Sequence, residues 1–124
     1  MLTLSPPNDL IDKMSSWTTQ LSVVGDNEKL TETEKRDLMQ TIVQAAVDAV
    51  TKSFSEVSDA VLTEIRAGGY RATKGNAGLT HVKIAMKHVE IWAAMAKSSV
   101  NPGVIMSELL NTIIPLQKAY ASIS

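Results

Sequence analysis

His81 and His88 are the only imidazoles in the chain, and there is no cysteine. Seven residues apart, they share one side of a helix at about 10 Å along its axis. One metal ion cannot bridge that gap. Zinc pairs on helices stand three or four residues apart with further His or Cys ligands elsewhere, which this sequence lacks. No metal site and no cofactor is expected; His81 is read as satisfying a helix start and His88 as bordering the core. Carboxylates gather at Glu32, Glu34 and Asp37, and again at Glu56 and Asp59. General acid and base work needs carboxyls with shifted pKa values in a cleft, whereas these stand among Lys35, Arg36 and Lys52 at water-facing positions. A di-iron pattern is missing, because neither histidine follows a glutamate by three residues. Serines abound without a nucleophile-elbow motif around any of them. No catalytic residue is assigned, and an enzyme is the least supported class.

One segment could bind anions. From Ala67 to Gly78 the chain reads Ala-Gly-Gly-Tyr-Arg-Ala-Thr-Lys-Gly-Asn-Ala-Gly. A Walker loop requires Gly-Lys followed by Ser or Thr, but here Lys74 precedes Gly75 and Asn76 follows it, so a nucleotide-hydrolysing loop is rejected. Anion binding needs less. Amides freed by glycine, a helix start at Thr80, and the cations Arg66, Arg71, Lys74, Lys83 and Lys87 could together hold phosphates without reading bases. Tyr70 would stack on a base or pin the loop. The alternatives at this point are a phosphate backbone, an acidic protein surface, or an ordinary solvated loop. Lys83 and Lys87 repel each other mildly at their spacing of four, which favours the first two.

The elements that would position these residues are helical throughout. Residues 1–7 form an arm ending in Pro6 and Pro7, and a first helix begins near Asn8. Leu10, Met14, Trp17, Leu21 and Val24 line one of its faces up to Gly25. Thr31 followed by Glu34 matches a capping box and starts a second helix that runs to about Ala67. So long an element is expected to bend or break near 51–55, where Thr51, Ser53 and Ser55 can divert backbone hydrogen bonds. Four glycines then predict a loop over 67–79. A third helix follows from Thr80 to about Ser99, and Asn101 with Pro102 caps a fourth through about Ser122, with a kink at Pro115. The fold class is an all-α antiparallel bundle of four to five helices, in a single domain spanning 1–124.

Charge is split along the chain. Residues 1–63 carry ten acids and five bases, and residues 64–124 carry three acids and seven bases, so the overall −1 hides halves near −5 and +4. Such a chain works through surfaces. Hydrophobic residues at 44% and charged residues at 20% exclude a disordered chain. No apolar run approaches the 18 or so residues of a membrane span, and no signal-peptide core is visible, which predicts a cytoplasmic protein or one carried inside a virion or particle.

The fourth helix supplies the other expectation. Ile105, Leu109, Ile113, Leu116 and Tyr120, with the apolar residues between them, surround more of it than one neighbour could cover. Residues 82–96 make the same demand. These five side chains are therefore predicted to form an interface for self-association or for docking on a protein partner. Taken together, the sequence predicts a non-enzymatic subunit of a larger complex, with nucleic acid as a further partner through backbone contacts at the 66–87 segment. A self-assembling virion or filament protein is the alternative.

Overall fold

Local capping chemistry fixes two of the helix starts. The Thr31 hydroxyl accepts from the Glu34 amide at 3.1 Å while the Glu34 carboxylate accepts from the Thr31 amide at 3.0 Å, closing the capping box. Asn101 accepts from the Gly103 amide at 2.8 Å, with Pro102 in the first helical position. A computed structural model describes residues 7–96 and 101–124, and these form an all-helical bundle with no strand. Its elements are α1 (Asp9–Asp26), α2 (Glu32–Ala67), α3 (Gly69–Ala96) and α4 (Pro102–Ile123). The expected arm before Pro7 and the end of the third helix near Ser99 lie outside the described residues. None of the helices described is long and apolar enough to cross a membrane.

Two expectations about these elements are corrected, a break in the second helix and a loop after it. α2 passes through 51–55 without a break, and its 36 residues extend about 54 Å. Val50 and Val57, fully buried on either side of that stretch, hold it helical against the competing hydroxyls. The predicted loop over 67–79 is also helix. Only Gly68 and Gly69 turn the chain, with φ of 74° and 59°, and α3 begins at once. Gly75 and Gly78 are buried and serve close packing instead. A Cβ on Gly75 would lie 2.7 Å from Ile65 Cγ1, 2.8 Å from the Ile65 nitrogen and 3.0 Å from the Val61 carbonyl oxygen. At Gly78 it would lie 3.1 Å from Val61 Cγ2 and 3.3 Å from the Ala119 carbonyl oxygen. These glycines let α3 approach α2 and α4 backbone to backbone.

The core forms two clusters along the bundle. In one, Leu10, Met14 and Leu21 of α1 meet Val43, Ala46 and Val50 of α2, Trp92 of α3, and Ile105, Met106, Leu109 and Ile113 of α4. In the other, where α1 is absent, Val57 and Val61 meet Val82, Ala85, Leu116, Ala119 and Ile123. α1 ends under a cation: Lys35 Nζ donates to the Gly25 carbonyl at 3.0 Å, satisfying an oxygen that the helix leaves free. α4 continues through the buried Pro115 and lies against all three other helices.

Candidate functional site

Helical geometry scatters the five cations read as one patch. Arg66 stands exposed in the last turn of α2, where a positive charge complements the helix dipole. Arg71 is bound to α2: its Nε lies 2.7 Å from Glu64 Oε2 and its Nη2 3.1 Å from Oε1. That two-pronged hydrogen bond holds the Glu64 carboxyl below the usual carboxylate range and raises Arg71 above its own. Lys74 lies 5.7 Å from the ring centroid of Tyr70, which is 78% exposed. Lys83 is nine residues beyond Lys74, which on a helix is about half a turn of azimuth, so the two point to opposite sides of α3. Lys83 and Lys87, one turn apart, face water about 18 Å and more along the axis from Arg71. The helix start at Thr80 that was to bind phosphate does not exist, since Thr80 is inside α3.

The side chains predicted to form an interface lie within the chain's own packing. Ile105, Leu109, Ile113 and Leu116 are buried within the chain's own core, and Tyr120 is half-buried. α4 meets three helices rather than one, and together they enclose that arc. What remains exposed are the edges of that arc. Val104, Leu110 and Ile114 on α4, and Ile84 and Ile91 on α3, keep between 39% and 43% of their surface in water. The sequence signal for them was their place at the margins of each apolar arc.

Several of these margins converge on the outer junction of α3 and α4. His81, Ile84 and His88 from α3 and Asn111, Ile114, Pro115 and Lys118 from α4 line an open depression of about 320 Å³. Its position is locked by polar bonds between the two helices. His88 Nδ1 lies 2.9 Å from Glu108 Oε2, and the Trp92 indole N–H donates to Thr112 Oγ1 at 3.1 Å in the buried layer beneath. The Thr112 hydroxyl donates in turn to the Glu108 carbonyl. Lys118 lines this face and has no ion pair among the described residues. The arrangement therefore offers apolar contact beside one positive charge. Among the described residues no group of three His, Cys, Asp or Glu side chains could hold a metal ion.

A second surface lies on α2. Asp37, Gln40, Thr41, Gln44, Ala45 and Asp48 border a shallow, wide depression along its outer side, away from the buried Val43, Ala46 and Val50. Gln44 donates to Asp48 at 2.8 Å, and Leu38 stands 44% exposed on the same part of the helix.

Comparison with protein-family models, with curated proteins and with solved structures gave no match.

Proposed function

We propose that this chain is a non-enzymatic subunit of a larger assembly. Its four helices form an antiparallel bundle that presents the outer α3–α4 face to a protein partner. The observation behind this reading is the meeting of exposed Ile84 and Ile114 with Lys118 on one polar-locked surface. Apolar side chains ringed by charge are how a docking surface combines affinity with orientation. An acidic group on the partner surface suits Lys118.

The test is isolation of the tagged chain from its native source with lysine cross-links mapped. Cross-links from Lys83, Lys87 or Lys118 to another chain are expected, and they should vanish when Ile84→Glu and Ile114→Glu are combined in a variant that remains helical. A chain that travels alone, its lysines unlinked, refutes the reading.

Contact with a phosphate backbone is the second reading, and Lys83 with Lys87, adjacent and water-facing, are what favour it. Binding to generic single-stranded RNA or DNA should then be strongest at low salt and fall steeply as salt rises. Absence of binding at low salt removes it.

A further inference from the structure

The apolar residues of α4 do not by themselves choose where it sits along α3. Moved by four residues, about 6 Å, α4 would bring Leu109, Leu110, Leu116 and Ile123 to the places now held by Ile105, Met106, Thr112 and Ala119. The polar groups carried inward would be the Gln117 amide and the Tyr120 hydroxyl, both in the later turns. Ala119 adds a steric preference there, since its carbonyl oxygen lies 3.3 Å from where a Cβ on Gly78 would stand. Over the first three turns the apolar pattern is indifferent to the shift.

A ladder of polar bonds is not indifferent. Thr112 is the one buried polar side chain among the described residues, and its hydroxyl accepts from the Trp92 indole at 3.1 Å while donating to the Glu108 carbonyl at 3.0 Å. One turn back along each helix, His88 Nδ1 lies 2.9 Å from Glu108 Oε2. In the shifted packing Leu116 would face the indole, whose N–H is then buried without an acceptor. We infer that Trp92, Thr112, Glu108 and His88 form a register lock, which selects one packing of α4 among those that bury similar apolar surface and adds little to net stability. Each bond replaces one to water, so its net gain is small, whereas the mismatched packing carries the whole penalty of an orphaned buried group. The lock also shapes the outer face. His81, Ile84 and His88 on one wall of the depression meet Asn111, Ile114, Pro115 and Lys118 on the other in this register. The inference concerns how α3 packs on α4 and stands apart from the docking reading.

Unfolding midpoints and amide NMR spectra of full-chain variants test it. Thr112→Val alone orphans the indole and should lower the midpoint. Trp92→Phe removes the indole N–H and leaves the Thr112 hydroxyl bonded to Glu108, so its cost is chiefly lost volume. Adding Thr112→Val to Trp92→Phe should then leave the midpoint within about 5 °C of Trp92→Phe, because no buried donor is orphaned. That double variant should stay helical, yet show doubled or broadened α4 amide signals and bind an apolar dye, as a bundle with more than one packing does. Thr112→Ser keeps the hydroxyl and should keep the wild-type signals. One sharp set of α4 signals with wild-type α3–α4 contacts in the double variant overturns the inference, since apolar packing would then set the register alone. A double variant that unfolds, or that loses as much to Thr112→Val as wild type does, overturns it as well, because the ladder would then act through stability.

Discussion

Gly75 makes a demand on stability that can be worked from distances. An added Cβ would meet three atoms of α2 at 3.0 Å or less, two of them backbone: the Ile65 nitrogen and the Val61 carbonyl oxygen. Backbone atoms cannot rotate away, so α3 must move off α2 along the contact. Overpacking of this kind costs up to about 3 kcal/mol, and alanine returns about 1 kcal/mol through its better helix propensity. Gly75→Ala should therefore lose about 2 kcal/mol. For a chain of this size that lowers the thermal midpoint by roughly 6 to 10 °C. Gly78→Ala serves as the comparison, since its nearest contact is a side-chain methyl at 3.1 Å. There the two effects nearly cancel, and the change should stay within about 1 kcal/mol. Thermal and urea unfolding followed by far-ultraviolet circular dichroism measures both. Adding Ile65→Ala to Gly75→Ala should not rescue it, because the backbone contacts persist. A Gly75→Ala midpoint equal to or above wild type would refute the close crossing of α3 on α2 and return the segment to a loop, where alanine is harmless.

Thr112→Val keeps the shape of a buried side chain but takes the acceptor from the Trp92 indole, which is 4% exposed; we expect a loss of about 1 to 3 kcal/mol and altered tryptophan fluorescence, and wild-type stability would argue against that bond. Glu64 has its carboxyl lowered from 4.5 by Arg71, so the stability it contributes is complete above pH 4.5 and is lost as pH falls through its depressed folded value. Glu64→Gln should accordingly lower stability slightly at neutral pH, flatten the acid side of the profile below pH 4.5 and converge on wild type at the acid end; a profile parallel to wild type would discount the Arg71 pair.

Signals held within one helical turn were legible in the sequence. Thr31 with Glu34 and Asn101 with Pro102 announce their helix starts because the bonds they make close within three residues. Gly68 and Gly69 could be read as a stop for the same reason. Gly75 and Gly78 could not, since a glycine that turns the chain and one that admits a neighbouring backbone look alike until the neighbour is known. The basic segment failed through that error: residues pooled in a loop fan out by about 100° each once they are helical, and Lys74 parts from Lys83. The burial of Ile105, Leu109, Ile113 and Leu116 was equally hidden. Counting apolar positions on α4 shows how wide its arc is, and nothing local shows that three helices meet there.

That meeting on α4 bears on how the protein comes into being. Synthesis proceeds from the amino end, so α1, α2 and α3 leave the ribosome before the helix that supplies Leu109 and Ile113 to one core cluster and Leu116 and Ala119 to the other. Until those residues emerge the nascent chain carries two open apolar seams. A product cut short before Pro102 is therefore expected to aggregate more readily than the full chain.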